Sequence, residues 1–436
     1  MYLEHLSLTN FRSFARLDLD TPRRVVLLAG GNAQGKTSLL EAVYFLATFT
    51  SFQTHVDRQL VNFIAAREAH KQVVVTRLAA NFRRGGSAHR LEARLILEPT
   101  GVNGARPSTP LRGQAGSPVP AALAQVGQRL RKEALLDGVK RSLGDVIGQF
   151  NAVVFVPQMS QIIEGGPEER RRYLNLALAQ AVPAYVRALG EYNQALAQRN
   201  ALLKALGERV PAQGRSKAGN GEQLGVWDEA LARLGAQIIL WRIQAVQEIE
   251  RLAARVHSQL TRGREVLRLH YQPAFEPLPQ PEGQLGLGLD TAVNRAGLEL
   301  EDIRHGFLER LKRLRAEEIA RGVTTIGPHR DELRFLANSI DLGHYGSRGQ
   351  IRTALLALKL AEVDWLRERS GEWPVILLDE VMAELDLERR ADLLAYLDKS
   401  EQAFFSTTDL NLFTPEFVER AEVWTVQGGN IHRKEK

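Results

Sequence analysis

The octapeptide Gly30-Gly31-Asn32-Ala33-Gln34-Gly35-Lys36-Thr37 reads G-x-x-x-x-G-K-[ST], a pattern that demands a turn between a buried strand and a helix. Both neighbours are present. Val25-Val26-Leu27-Leu28-Ala29 is the short apolar run of a strand covered on both faces, and 38–45, opening on Ser38, has helical character. Glycines let backbone N–H groups curl around phosphates at the positive end of a helix. Lys36 then places a compact charge on the β- and γ-phosphates, and the Thr37 hydroxyl is a ligand for Mg²⁺. A second apolar strand, Val375-Ile376-Leu377-Leu378, ends in Asp379-Glu380. It delivers Asp379 to the same Mg²⁺, directly or through water, and leaves Glu380 to polarise an attacking water as general base. Lys36 and Asp379 stand 343 residues apart, yet both must reach one metal. The α/β segments that carry them therefore form one ATPase domain, and an insertion lies between.

The intervening chain shows where. Strand character appears at 2–8, 73–78, 91–97 and 152–156. Residues 99–120 mix Pro99, Pro107, Pro110, Pro118 and Pro120 with Gly, Ser and Arg and read as a flexible surface insertion. From 168 to 206 the pattern is helical, with Val182, Tyr185, Leu189, Tyr192, Leu196, Leu203 and Leu206 along one seam and Arg199 its polar exception. A polar, Gly-rich connection at 207–225 leads to a second helix in the same rhythm, from Trp227 to Val256. The pair predicts a hairpin arm of helices roughly 35–40 residues long, about 55 Å at 1.5 Å per residue. A third helix spans about 298–319, and strands return at 332–336, 375–378, 403–406 and 423–426. The expected fold is α/β: an ABC-type P-loop ATPase head, 1–163 with 321–436, split by an α-helical lid or arm domain at 164–320.

Of 436 residues, 44% are hydrophobic and 25% charged, a globular balance. Cysteine is absent, which excludes disulfides, thiolate zinc sites, iron–sulfur clusters and a cysteine nucleophile. No apolar run reaches 18 residues, and Glu4, Arg12, Arg16, Asp18 and Asp20 leave no signal-peptide stretch, so a cytoplasmic protein with no membrane partner is expected. The formal charge of +6 permits a polyanionic partner.

Further motifs follow in order along the chain. They are Leu8-Thr9-Asn10-Phe11-Arg12-Ser13-Phe14, Gly165-Gly166-Pro167-Glu168-Glu169-Arg170-Arg171-Arg172, Gly327-Pro328-His329-Arg330-Asp331, Ser347-Arg348-Gly349-Gln350 and Thr407-Thr408-Asp409. Together with the phosphate loop and Asp379-Glu380, they make the chain resemble the RecF family, in the group of the SMC and Rad50 ATPases. The resemblance implies that Ser347, Arg348, Gly349 and Gln350 form a signature touching the γ-phosphate held by a second subunit. It puts Asp386 at the dimer seam, Thr407 and Thr408 at a γ-phosphate sensor, and Arg12 near the bound phosphates; by itself Arg12 reads equally as an ordinary strand-end arginine. His329 and Arg330 are open between a nucleotide-linked and a bracing role. A basic residue is usual in the family at Gln53, and an Asp at Asn175.

The resemblance further implies an ATP-driven homodimer that clamps junctions of double-stranded and single-stranded DNA. It implies work with RecR and RecO in gap repair, at replication forks and in the SOS response. Residues alone support DNA modestly. Arg304, Arg310, Lys312, Arg313 and Arg315 crowd the third helix and suit phosphate contacts, but Glu301, Asp302, Glu309, Glu317 and Glu318 dilute them into what is equally a solvated face. A transporter ATPase subunit fits less well, because Thr407-Thr408 stands where a histidine would be needed. A structural SMC-like tether fits less well because the arm is short.

Overall fold

The structure is a computed structural model describing residues 1–68, 72–99, 128–208, 217–278, 295 and 297–433. Its chain divides into two compact units: Met1–Val146 with Val375–Glu380 and Ser400–Lys436, and Ile147–Pro374 with Val381–Lys399. Strands and helices are numbered along the chain.

The first unit holds β1 (Tyr2–Phe11), β2 (Phe14–Asp20), β3 (Val25–Ala29), α1 (Lys36–Thr48), α2 (Phe63–Glu68), β4 (Val74–Arg84), β5 (Ser87–Pro99), β6 (Gln128–Leu136), β7 (Val139–Arg141) and α3 (Leu143–Val146). It is completed by β12 (Val375–Asp379), β13 (Ala403–Thr407), α12 (Pro415–Arg420), β14 (Glu422–Gln427) and β15 (Asn430–Arg433). One sheet is an antiparallel meander in the order β2-β1-β4-β5-β6-β7. In the other, β12, β13, β3 and β14 run parallel in that order, and β15 pairs antiparallel with β14. Every residue of β12 and β13 is buried, as parallel strands covered on both faces require. Helix α1 contacts strands of both sheets, so nearly all of it is buried. Strands β4 and β5 run well past the expected 73–78 and 91–97, because their polar ends pair across the hairpin down to Arg84–Ser87. The expected insertion at 99–120 lies outside the described residues except for Pro99, the last residue of β5.

The second unit holds β8 (Ala152–Phe155), α4 (Gln161–Glu164), α5 (Pro167–Ala181), α6 (Tyr185–Glu208), α7 (Lys217–Leu260), β9 (Leu267–Gln272), α8 (Leu300–Arg321), β10 (Glu332–Ala337), β11 (Ile340–Asp341), α9 (Leu342–Tyr345), α10 (Arg348–Ser370) and α11 (Leu387–Leu397). The helix expected over 168–206 is two helices, α5 and α6, parted at Pro183, which cannot continue an α-helical ladder. The connection expected at 207–225 is shorter. Residues 209–216 lie outside the described residues, and α7 already begins at Lys217. Leu224 explains the early start: it is fully buried against Leu203 and Leu206, so packing overrides the glycines around it. The arm helices are therefore unequal, 24 and 44 residues rather than a matched pair.

Two buried arginines hold this unit together. Arg199 on α6 donates to Asp228 on α7 at 2.7 Å and to Glu318 on α8 at 2.6 Å, so one guanidinium ties three helices. Arg315 also donates to Asp228, at 2.7 Å. Arg242 on α7 donates to Asp331 at 2.7 Å, to the Pro328 carbonyl at 2.5 Å and to Asn175 at 2.9 Å. Removing one partner from such a group leaves a buried uncompensated charge, a loss of ~3–5 kcal/mol.

His329 belongs to the same core. Its Nδ1 lies 2.8 Å from the Tyr192 hydroxyl and its Nε2 3.2 Å from the Thr324 carbonyl, which fits a neutral ring donating from Nε2. Burial lowers its pKa from 6.5 to about 4. As pH falls, the unfolded chain takes up this proton first, so stability is lost between about 6.5 and about 4. His329→Gln, which keeps a donor and an acceptor but cannot titrate, should flatten the fall in unfolding free energy from urea denaturation over that window by ~3 kcal/mol. An unchanged slope would mean that His329 does not set it.

Candidate functional site

Ser38 and the preceding loop sit at the carboxyl ends of parallel strands, where open α/β sheets present ligands. Gly30 is required by a close approach: a Cβ there would run into the Val426 carbonyl of β14. Gly35 caps α1 at φ 112°, and Ala33 adopts φ 61°, so the loop takes the curled form that aims N–H groups inward. Gln34 fastens it, its side-chain oxygen accepting from Gly428 N at 2.7 Å and its carbonyl from Gly429 N at 3.1 Å. Gly31 and Asn32 are exposed.

Strand register brings the distant chemistry here. Ser406 pairs with Leu28 on one side and with Asp379 on the other, so the ends of β3, β13 and β12 are level. Thr37 Oγ1 donates to Asp379 Oδ1 at 2.9 Å, and Ser406 Oγ donates to the same oxygen at 2.5 Å. Lys36 Nζ donates to the carbonyls of Gly30 and Gly31 at 2.7 and 2.9 Å and lies 3.2 Å from Glu380 Oε1. Glu380 has φ 54°, a conformation uncommon outside glycine, and its N–H is held by the Ser406 carbonyl and hydroxyl. Burial pushes the Asp379 carboxyl above the usual carboxylate range; the Ser406 and Thr37 donors pull it back, and the Glu380 charge adds to the rise.

These residues fit Mg²⁺. One carboxylate and one hydroxyl suffice for an ion that keeps several waters and takes its other ligands from phosphate oxygens. Among the described residues no three His, Cys, Asp or Glu side chains cluster as a protein-only metal cage.

Other expected residues stand as follows. Arg12, at φ 51°, donates twice to the buried Glu41 at 2.7 Å and once to the Gln59 carbonyl at 3.0 Å. Glu41 also accepts from Ser51, whose Oγ receives the N–H of Gln53 at 2.9 Å. The Thr407 hydroxyl closes its own turn, accepting from Asp409 N at 3.1 Å and donating to Asp409 O at 2.9 Å, whereas Thr408 is exposed. In the second unit Ser347 is the exposed N-cap of α10, its Oγ accepting from Gln350 N at 3.2 Å while Gln350 Oε1 accepts from Ser347 N at 3.0 Å. Arg348 and Gly349 are exposed beside it. Asp386 caps α11, accepting from Arg389 N at 2.9 Å and pairing with the Arg389 side chain, which lowers its pKa.

The basic set on α8 divides. Arg315 is committed to the buried carboxylate of Asp228, so it is not a spare cation for phosphate. Arg304 pairs with Glu301 and Lys312 with Glu309, both on exposed faces, whereas Arg310 and Arg313 project into solvent. Arg170 and Arg171 are committed as well, to Glu332 and to the Asp331 carbonyl. Asp331 lies under Arg242 and His329 against Tyr192, which makes the Gly-Pro-His-Arg-Asp block a brace of this unit. Sequence reasoning placed Ser406 at the end of an apolar strand beside the sensor turn but not on Asp379, and it missed Glu41, which, mid-helix, carried no signal.

A phosphate loop on a parallel sheet, with an aspartate–glutamate pair level with it, defines a P-loop ATPase fold of the ABC type. The chain matches the RecF/RecN/SMC N terminal domain over residues 2–426 and belongs to that family. It is 37% identical over 434 residues to the DNA replication and repair protein RecF of Chloroflexus aurantiacus, covering 99% of each chain. To RecF of Roseiflexus castenholzii it is 36% identical over 437 residues, covering 99% of this chain and 100% of that one. A solved structure of the recombination mediator protein RecF with ATP, from the RecFOR pathway, superposes with TM-score 0.77 at 28% identity, covering 100% of this chain and 98% of that one.

The Asp379 charge opposes folding at neutral pH, because its folded pKa lies above the unfolded value. Asp379→Asn keeps an oxygen for both hydroxyls and removes that charge. In the nucleotide-free protein at pH 7 it should raise the melting temperature by about 1–3 °C. Any Mg²⁺-dependent ATP hydrolysis should fall by about a hundredfold or more. A lower melting temperature would show that the charge is needed by the fold.

Proposed function

We propose that this chain is an ATP-dependent, DNA-binding recombination mediator of the RecF kind and a weak ATPase. The observation that supports the reading is the hydrogen bond from Thr37 to Asp379 across 342 residues, which joins the phosphate loop to the Asp379-Glu380 strand end. Residues Gly30 to Ser38 hold ATP. Thr37 and Asp379 hold Mg²⁺, which when bound neutralises phosphate charge. Glu380 orients water once phosphate draws Lys36 away from it. The functional head takes in 1–163 and 321–436, with 164–320 as lid or arm.

A second copy supplies Ser347, Arg348, Gly349 and Gln350 to the γ-phosphate, with Asp386 at the seam, Thr407 and Thr408 on the sensor turn and Arg12 bracing the loop's surroundings. The exposed Ser347 supports this. Its oxygen already accepts from Gln350 N, so its hydroxyl hydrogen is left to donate to an anion. The closed dimer clamps junctions of double- and single-stranded DNA, with Arg310 and Arg313 as phosphate contacts ahead of Arg304 and Lys312. RecR and RecO are the partners, gap repair, fork maintenance and the SOS response the setting, and the cytoplasm the site. No described helix is long and apolar enough to cross a membrane.

Solution mass and binding to gapped DNA, each with and without ATP, test the reading. The parent protein should dimerise and bind DNA more tightly with ATP. Lys36→Ala should lose both responses. Glu380→Gln should hydrolyse ATP about a hundredfold more slowly and stay dimeric on DNA. DNA binding indifferent to ATP would overturn the mediator reading, and hydrolysis at the parent rate by Glu380→Gln would remove Glu380 as the base.

A further inference from the structure

The cap of α10 does not stand alone. A capping glutamine offers two ends: its oxygen must face the N–H of the cap residue, and its amide hydrogens must then find an acceptor elsewhere. Gln350 Nε2 donates to Glu265 Oε1 at 2.9 Å. The other carboxylate oxygen, Oε2, lies 3.2 Å from Nε2 of the fully buried His257. Glu265 Oε1 therefore accepts from an amide N–H, and Oε2 faces a ring nitrogen of His257. If the Gln350 amide turned over, its oxygen would meet the carboxylate and its NH₂ would meet the Ser347 N–H, two repulsive contacts in place of two hydrogen bonds.

Glu265 is itself fixed. It follows the turn that ends α7, where Arg262 and Gly263 take φ 55° and 74° and Gly263 N donates to Ser258 O at 2.7 Å. On its other side, Val266 N donates to Asn338 Oδ1 at 2.9 Å, and Asn338 N returns a bond to Val266 O at 3.0 Å. The carboxylate is thus presented by a backbone clamped before and after it.

We propose that Glu265 is a positioning residue for the signature. By fixing which way the Gln350 amide faces, it holds the Ser347 cap closed, with the serine hydroxyl turned outward to donate to the γ-phosphate on a second copy. This rests on the reading of Ser347 given above. Glu265 touches neither nucleotide nor metal. Its effect reaches ATP-driven association and the hydrolysis that follows, not the capture of ATP by Lys36 and its loop.

The test compares the full-length parent with Glu265→Ala, Glu265→Gln, Gln350→Ala, the Glu265→Ala/Gln350→Ala double variant and Ser347→Arg. The readouts are the ATP concentration that half-dimerises each protein by solution mass and the dissociation constant for ATP at protein concentrations too low to dimerise. Glu265→Ala should need about five- to tenfold more ATP to dimerise with ATP capture unchanged, the scale of one ordinary hydrogen bond's net contribution. Gln350→Ala should show the same loss and the double variant no more than either. Glu265→Gln should recover most of it, because its amide oxygen can accept from Gln350. Ser347→Arg separates the two layers. If it abolishes association while Glu265→Ala behaves as the parent, the positioning role is wrong and the signature reading stands. If Ser347→Arg associates normally, the signature reading fails and takes the positioning role with it. Additive losses in the double variant, or weakened ATP capture by Glu265→Ala, would also overturn the proposal. Should Glu265→Ala fail to fold, Gln350→Ala breaks the same link from the other side, and parent-like association by it overturns the proposal equally.

Discussion

One carboxylate oxygen organises the catalytic half of the chain. Asp379 Oδ1 accepts from Thr37 on α1 and from Ser406 on β13, and it ends β12 with its residue 7% exposed. That arrangement depends on three strands ending level. A slip of one residue in the pairing of β12 with β13 would turn Asp379 to the opposite face of the sheet, because side chains alternate with period two. The unbroken apolar runs of β3, β12 and β13 give the strands a buried place, and the polar residues at their ends fix the register. Burial makes this charge unwelcome, as the raised pKa shows, and the two hydroxyl donors and Lys36 offset only part of the penalty.

The parts of the site that obey local rules were legible in the sequence. A phosphate loop needs glycines at fixed offsets, a buried strand can deliver a carboxylate to its end, and a Ser and a Gly can open a helix. Each is written in a few adjacent letters. What escaped depends on residues far apart. Arg199 was visible only as a polar break in an apolar seam; its partners Asp228 and Glu318 lie on two other helices. Arg315 looked like one more cation on a basic helix, and nothing near it in sequence shows that Asp228 claims it. The start of α7 was missed because glycines argue locally for a turn, whereas Leu224 is buried by Leu203 and Leu206.

Asn175 shows how one letter can mislead and still be explained. The family resemblance leads to the expectation of an Asp at this position. The Asn175 oxygen nonetheless accepts from Arg242 at 2.9 Å and from the Tyr185 hydroxyl at 2.7 Å. The charge that Arg242 needs comes from Asp331, so a neutral acceptor at 175 completes the guanidinium without placing a second buried anion beside it.

The two buried arginine clusters and the exposed signature follow from one principle applied in opposite directions. Inside the second unit, Arg199 and Arg242 face buried carboxylates, so most of their donors are spent on holding helices in place. At the start of α10 the same kind of accounting leaves a surplus: the first turn of any helix has N–H groups without helical partners, and the Ser347–Gln350 box satisfies only part of them. The remaining donors face solvent beside Gly349, which lacks a side chain that could cover them. Such a surface has the chemistry to accept an anion, which the proposed reading assigns to the γ-phosphate on a second copy.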